Sequence, residues 1–215
     1  MRIVDLSHTI TADMPVWPGT PPPEFSELCT IAHDGFAEQS IRISSHTGTH
    51  IDAPAHMIEG GDTLDRFEVG RFFGQGLLID LREQAGGSIT LDALTPFSPL
   101  MAEIEFVLLH TGWSRFWGEE TYDRDYPALT LEAASWVAGF RLKGIGIDAP
   151  SFDSIGHDDY PVHRRLLEAG IILIENLTNF HQLPETGFSL LVFPLGIQGA
   201  EACPVRAVAL LPPFA

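Results

Sequence analysis

The sequence predicts an α/β fold built on a mixed β-sheet. Short apolar runs recur along the 215 residues, and several are continuous rather than alternating, as is typical of strands that are covered on both faces. These runs outnumber the helix candidates and do not alternate strictly with them, which argues against a plain doubly wound sheet. Because 45% of the residues are hydrophobic and no repeat or linker interrupts them, we expect residues 1–215 to form a single domain.

Seven apolar runs are predicted strands, and two further segments are predicted helices. The predicted strands cover residues 41–45, 77–81, 104–110, 144–148, 171–175, 189–193 and 205–211. The first predicted helix, residues 131–142, follows Thr130, which is a suitable N-cap. The second, residues 161–169, has a proline in its first turn and Gly170 just after its end.

Composition and charge exclude several classes of partner and location. Twelve Lys and Arg residues against 29 Asp and Glu residues give a net charge of −17, which repels nucleic-acid phosphates and anionic membrane surfaces. We therefore expect no nucleic-acid partner and no membrane association. The first residues lack the basic and apolar stretches of a secretory signal, and two cysteines, Cys29 and Cys203, cannot form a disulfide framework. A cytoplasmic protein with reduced thiols is the expectation.

The segment from Ser45 to His56 carries the most specific pattern in the chain. Three of the nine histidines and one aspartate fall within eleven residues, and the glycine and proline among them oppose a helix. In an extended segment, His46, His50 and Asp52 would face the same side. Two imidazoles and a carboxylate that converge in this way form a site for a divalent ion with open coordination positions. The alternative is a set of polar residues that only hydrogen-bond within a turn.

The pattern His-x-Gly-Thr-His-x-Asp-x-Pro-x-His resembles the signature of the cyclase-like metal-dependent hydrolases. That family includes bacterial kynurenine formamidase and isatin hydrolase. The resemblance covers essentially the whole chain, through residues 5–10 and 14–19 and the later blocks 110–113, 146–151 and 204–207. It implies a swivelling β/β/α fold that assembles as a homodimer or homotetramer.

The resemblance also implies a metal site of five residues, with Zn²⁺ or Mn²⁺ as the cofactor and one or two ions per subunit. These residues are His46, His50, Asp52, His163 and Glu175, with the aspartate as a bridge between two ions. Judged from the residues alone, Glu175 ends an apolar strand, where a carboxylate is costly unless it is paired or metal-bound. A salt bridge to an arginine is an equal alternative for Glu175, and His163 could be a surface residue of its helix.

Five further residues have predicted roles in the site, three of them with a structural alternative. By resemblance His56 is the catalytic proton donor and acceptor, and Trp17 contacts substrate, although Trp17 is equally suited to the core or to a subunit interface. His157 could offer a metal ligand, but a solvated loop with Asp159 as the helix cap is favoured. Gln198 could contact a substrate carbonyl, although a structural role in a turn is the favoured interpretation. Cys203 stands where the family suggests serine and could alter the pocket wall.

The predicted function is hydrolysis of an amide-type C–N bond in a small aromatic substrate by a metal-bound hydroxide, assisted by His56. The first candidate is an arylformamidase, which converts N-formylkynurenine to kynurenine and formate in tryptophan catabolism. A cyclic amide such as isatin, or a lactone, is the alternative substrate. A non-catalytic metal-binding protein would close a structural zinc site with four protein ligands. Hydrolysis by a Ser-His-Asp triad is not expected, because the sequence has no Gly-x-Ser-x-Gly motif, which forms the nucleophile turn in such enzymes.

Overall fold

The computed structural model describes residues 1–83, 87–156 and 159–212. Within these residues, strands β1 to β13 are, in chain order, Arg2–Asp5, Glu24–Cys29, Glu38–Arg42, His50–Asp52, Phe73–Asp80, Ser88–Ile89, Phe106–His110, Ala128–Leu129, Gly144–Ile147, Ile172–Glu175, Phe188–Leu191, Ala202–Pro204 and Val208–Leu211. Helices α1 to α5 are Ile31–Asp34, Leu91–Leu94, Ser98–Met101, Leu131–Val137 and Pro161–Glu168. Short 3₁₀ helices cover Pro54–His56, Leu64–Arg66, Val69–Phe72, Thr95–Phe97, Trp113–Phe116 and Phe180–Gln182.

Nine of these strands form one mixed sheet in the order β1-β13-β11-β5-β7-β9-β10-β4-β12. The four central strands β5, β7, β9 and β10 run parallel to one another. Antiparallel strands extend the sheet on both sides of them. Parallel neighbours require a crossover connection, and α5 lies in the connection between β9 and β10. The predicted α/β fold with a mixed sheet is confirmed.

Apolar side chains cover both faces of the central strands. In β7, Val107 and Leu109 join the core layer that contains α4 and α5, whereas Phe106 and Leu108 join the layer on the opposite face. All four side chains are buried. A strand enclosed in this way needs apolar residues at consecutive positions, which explains the continuous apolar runs in the sequence.

Two of the seven predicted strands are wrong over three of their residues, and the others differ from the observed strands only at their ends. The prediction for residues 41–45 is wrong beyond Arg42, because β3 ends there and pairs with β2 in an exposed hairpin outside the main sheet. The prediction for residues 205–211 is wrong before Val208, because β13 covers only Val208–Leu211 and the preceding strand β12 ends at Pro204. Strand β12 pairs with β4, whereas β13 pairs with β11 and β1, so residues 205–207 connect two different parts of the sheet. The Val205 N–H donates to the Thr49 carbonyl at 2.9 Å.

The predicted helix 131–142 is also too long. Helix α4 begins after Thr130, whose side chain accepts a hydrogen bond from the Ala133 N–H as predicted for an N-cap, but it ends at Val137. The Gly139 N–H then donates to the Trp136 carbonyl at 3.0 Å, three residues back, which tightens the last turn. Among the described residues no helix has the length and apolar character needed to cross a membrane.

The packing of β5 against β11 yields a stability prediction. Gly76 lies opposite Phe188 in the antiparallel register, and a Cβ at this position would overlap the phenylalanine ring. We expect Gly76→Ala to lower the free energy of unfolding by about 1–3 kcal/mol, as overpacking of a core does. Gly70→Ala is the matched control, because a Cβ there meets nothing within 4 Å. Urea denaturation of both variants measures the difference, and equal stabilities would contradict the prediction.

Candidate metal centre and active site

The candidate site forms where the parallel strands of the sheet meet an antiparallel one. Strand β4 pairs with β10 so that His50 lies opposite Glu175 and Asp52 lies opposite Leu173. Residues opposite each other across a strand pair share a face, as do alternate residues along one strand. His50, Asp52 and Glu175 therefore point to the same face, the one that α5 covers.

His46 reaches the site through a turn, so the expectation of an extended segment from His46 to Asp52 is wrong in its first half. Strand β4 begins only at His50. Gly48 has a φ of 63°, a left-handed conformation that glycine adopts without strain. This turn places His46 Nδ1 at 2.9 Å from Asp52 Oδ1. The predicted proximity of the three motif residues is present, but a turn produces it rather than the alternation of a strand.

His163 approaches the same point from the first turns of α5. Its side chain is buried, with Nε2 at 3.1 Å from Glu175 Oε1 and 4.0 Å from Asp52 Oδ2. The alternative of a surface histidine is therefore wrong. The alternative of an arginine salt bridge for Glu175 is also wrong among the described residues, because the ion-pair partners of this carboxylate are His50 and His163.

All five residues proposed as metal ligands thus gather at one place, in two overlapping groups. One group is His46, His50 and Asp52, and the other is Asp52, His163 and Glu175; within each group the ligand atoms lie within 4.8 Å of one another. Asp52 belongs to both groups. Its Oδ1 lies 3.5 Å from His50 Nε2, while its Oδ2 faces His163. A carboxylate placed in this way can bridge two ions.

The chemistry of the donor atoms fits a divalent cation. His50 Nε2, both carboxylate oxygens of Asp52 and Glu175 Oε1 are buried and make no well-aligned hydrogen bond to any described residue, although His46 Nδ1 and His163 Nε2 lie close to two of these oxygens. Buried polar atoms without partners are costly, and a shared cation would satisfy all of them. The ring of His50 is oriented for this, because its Nδ1 lies 2.8 Å from the Gly48 carbonyl, which can only accept. The lone pair of Nε2 therefore faces the two carboxylates.

Asp153 orients His163 in the same manner, and sequence reasoning missed it. Its Oδ2 lies 2.6 Å from His163 Nδ1, and its two oxygens accept the backbone N–H groups of Val162 and His163 at 2.9 Å each. Asp153 therefore caps α5, and the expectation that Asp159 does so is wrong. A carboxylate that holds the second nitrogen of a ligand histidine fixes the ring and raises its basicity.

The charges of the site compete for protons. Burial by itself would lower the pKa of His163, but the hydrogen bond to Asp153 and the adjacent carboxylate of Glu175 raise it to about 10. Burial likewise works to raise the pKa of Asp52, yet the neighbouring histidines, His50 first, hold it below its ordinary value. Positive charge is thus favoured between these carboxylates. A metal ion that takes the place of the proton on His163 would release that proton on binding.

A cavity of about 310 Å³ opens onto the five clustered residues. Trp17 lines it, where the sequence placed a substrate-contacting aromatic. His56 lines it as well and belongs to neither ligand group. The His56 ring is half-buried, with its centroid 4.2 Å from that of His46. The cavity therefore brings a free imidazole beside the proposed ligands.

Two of the three remaining candidates are absent from the described residues that line the cavity. Gln198 is exposed and is not one of the lining residues. Cys203 pairs in register with Ile51 and is buried in the apolar layer on the other face of the sheet, so the expectation that it alters the pocket wall is wrong. His157 lies outside the described residues.

Comparison with known proteins places the chain in a family. Residues 4–154 match the sequence model of the cyclase family, described as "Putative cyclase". The chain belongs to the cyclase family. A kynurenine formamidase of Salinibacter ruber is 30% identical to this cyclase-family chain, with 97% of each chain covered. One from Bacillus cytotoxicus is 28% identical over 95% of each.

The similarity extends to solved structures. Isatin hydrolase A from Labrenzia aggregata, bound to benzyl benzoate, matches with a TM-score of 0.89 and 29% identity over 98% of this chain and 93% of that one. Isatin hydrolase A from Ralstonia solanacearum matches with a TM-score of 0.87 and 28% identity, over 98% of this chain and 92% of that one. With these relatives and a cluster of residues that could hold a metal ion, this cyclase-family chain is a metal-dependent hydrolase.

The position of Asp153 yields a prediction for metal binding. We expect Asp153→Asn to weaken metal affinity about 10- to 100-fold, because an amide orients the His163 ring less strongly than a carboxylate does. Competition with a chromogenic chelator measures the affinity. Asp159→Asn, an exposed position just before the same helix, is the matched control and should bind metal as the unaltered protein does. Equal affinities of the two variants would contradict the role of Asp153.

Proposed function

We propose that the protein is an arylformamidase that hydrolyses N-formylkynurenine to kynurenine and formate. Water adds to the formyl carbonyl carbon, the C–N bond breaks, and the aromatic nitrogen leaves with a proton. The observation that carries the proposal is the pair of ligand groups sharing Asp52, with His56 beside them in one cavity. The kynurenine formamidases, similar over almost the whole chain, supply the substrate.

We propose Zn²⁺ or Mn²⁺ as the cofactor, with positions for two ions. His46, His50 and Asp52 would hold one, and Asp52, His163 and Glu175 the other. Mixed imidazole and carboxylate ligands suit both metals. A bound divalent ion lowers the pKa of its water toward about 7 and polarises a carbonyl group. Three protein ligands per group and an adjoining cavity favour a catalytic site over a closed structural one.

His56 is proposed as the general base and acid. Burial lowers its pKa to about 4, so that the ring is neutral near pH 7 and can accept a proton. It takes a proton from the attacking water and returns it to the leaving nitrogen, which would otherwise depart as an unstable anion. Trp17, which lines the same cavity, is proposed to pack against the aromatic ring of the substrate.

A second candidate function is hydrolysis of a cyclic amide such as isatin. The observation that favours it is the close similarity of this fold to isatin hydrolase A from Labrenzia aggregata, at a TM-score of 0.89. The same water addition would open a lactam ring rather than release formate. Both candidates need the same ligands and the same proton transfer, so the substrate distinguishes them.

We also propose that the chain assembles with copies of itself, as a homodimer or homotetramer. The hairpin of β2 and β3 supports this, because both strands are exposed apart from Cys29 at the end of β2. Phe25 and Ile41 lie opposite each other across the hairpin and are 40% and 54% exposed. An isolated two-stranded hairpin with apolar side chains in water is marginally stable and gains from a partner. The cytoplasmic location stays a prediction.

The proposed function is tested with the purified protein, N-formylkynurenine and isatin. We expect release of formate from N-formylkynurenine, its loss after treatment with a chelator, and its return with Zn²⁺ or Mn²⁺. Elemental analysis of the purified protein reports how many ions each chain holds. Turnover of isatin alone would favour the second candidate, and metal-loaded protein that hydrolyses neither compound would overturn both.

Replacement of His56 separates proton transfer from metal binding. We expect His56→Ala to keep its metal content and to lose about 10²- to 10⁴-fold in kcat, the contribution typical of general acid–base catalysis. His181→Ala, an exposed histidine that does not line the cavity, is the matched control and should leave kcat unchanged. A His56→Ala protein with near-normal turnover would exclude the proposed role.

A further inference from the structure

One chain of hydrogen bonds in the cavity wall has a fixed direction. The Gly48 carbonyl accepts from His50 Nδ1 at 2.8 Å and from Asn176 Nδ2 at 3.0 Å. Since a carbonyl can only accept, the amide nitrogen of Asn176 must face Gly48 and its Oδ1 must face away. Tyr122 Oη lies 2.8 Å from that oxygen. The Tyr122 hydroxyl therefore donates its single proton to Asn176.

The direction of these bonds leaves the Tyr122 hydroxyl oxygen as a hydrogen-bond acceptor in the wall of the cavity. A phenolic hydroxyl has one proton to donate, so a Tyr122 hydroxyl engaged with Asn176 has only lone pairs left for other partners. Tyr122 and Asn176 both line the cavity, and Asn176 directly follows the proposed ligand Glu175. Burial raises the pKa of Tyr122 well above its usual value, so the proton stays in place. A molecule in the cavity that reaches this hydroxyl would therefore meet an oxygen that accepts and does not donate.

Tyr122 is held firmly in this position. The Trp113 indole N–H donates to the Tyr122 carbonyl at 2.8 Å, and the Trp117 ring packs edge-on against the tyrosine ring at 5.1 Å between centroids. The His8 ring stacks on the Trp117 ring, with the ring centroids 3.9 Å apart. A polar group whose neighbours fix it before substrate binds discriminates more strongly than a mobile one.

Asn176 is fixed as well. Its φ of 56° places the residue in the left-handed region, and its backbone N–H donates to the Ala149 carbonyl at 3.0 Å. The Thr49 hydroxyl donates to the Asn176 carbonyl at 2.6 Å. The main chain of Asn176 thus bonds to two separate segments, which fixes its position. The Gly48 carbonyl, which can only accept, keeps the amide nitrogen on its own side.

We propose that Tyr122 is a specificity-determining residue that accepts a hydrogen bond from a substrate N–H next to the scissile carbonyl and thereby selects secondary amides over esters. The inference rests on the proposed function and adds to it a distinction between amides and lactones. An ester presents an oxygen lone pair where an amide presents its N–H. Two acceptors that face each other leave both unpaired in a desolvated site, which disfavours the ester.

The test compares two substrates that differ at one group. Formanilide and phenyl formate share the formyl carbonyl and the aromatic ring, but the first has an N–H where the second has an oxygen. We expect Tyr122→Phe to lower kcat/KM for formanilide about tenfold, the typical effect of leaving one hydrogen-bonding group unpaired. For phenyl formate, measured above its spontaneous hydrolysis, kcat/KM should stay the same or rise.

A role limited to positioning the ligands would give a different result. If Tyr122 acts only through Asn176 on His50, the variant should lose activity on both substrates in equal proportion and should bind metal more weakly. Either an equal loss on both substrates or no loss on formanilide would overturn the proposal. Metal content measured by elemental analysis accompanies each rate, and the proposal requires it to equal that of the unaltered protein.

The unaltered protein gives a second measurement that needs no variant. N-methylformanilide keeps the amide bond and lacks the N–H, so we expect its kcat/KM to be at least about tenfold below that of formanilide. Equal values would overturn the selection of an N–H donor and leave the proposed hydrolase intact. Unaltered metal-loaded protein that hydrolyses none of the three formyl compounds would instead overturn the proposed function and this inference with it.

Discussion

Burial of two carboxylates at one edge of the sheet is the constraint on which the site depends. Asp52 and Glu175 are almost fully buried, and their ion-pair partners among the described residues are histidines rather than arginine or lysine. Charges in such a place need compensation, and without a metal ion the raised pKa of His163 lets a proton on that ring supply part of it. Deprotonated imidazoles would offer lone pairs to a cation instead. The arrangement is therefore suited to a divalent cation, which attracts the carboxylates and the imidazole nitrogens alike.

The sheet topology brings these groups together. Strand β10 is the last of the parallel strands and β4 runs against it, so the end of one strand and the start of the other lie side by side. Helix α5 enters from the connection between β9 and β10 and adds His163 from its first turns. The opposite face of the same strands carries only apolar neighbours such as Ile51 and Ile174. One face of these strands therefore carries the proposed metal ligands, and the other face packs in the hydrophobic core.

A second layer of hydrogen bonds fixes the orientation of the proposed ligands. The Gly48 carbonyl holds one imidazole and Asp153 the other, so that in both His50 and His163 the Nε2 atom faces the carboxylates. Asp153 also caps α5, which couples the stability of the helix to the position of a ligand. Because the same Gly48 carbonyl also accepts from Asn176, the bonds that orient His50 extend to Tyr122 in the cavity wall.

The sequence by itself determined the class of fold and the core of the site. Its continuous apolar runs follow from burial on both sheet faces, and His46, His50 and Asp52 are near in space because they are near in the chain. His163 and Glu175 came from resemblance to a family, since nothing in their spacing connects them to the motif. Only the tertiary structure revealed Asp153 and the link from Tyr122 through Asn176 to Gly48, whose side-chain contacts span 54 and 128 residues. Pairings over such separations are decided by the packing of strands and helices, which no local pattern of residues records.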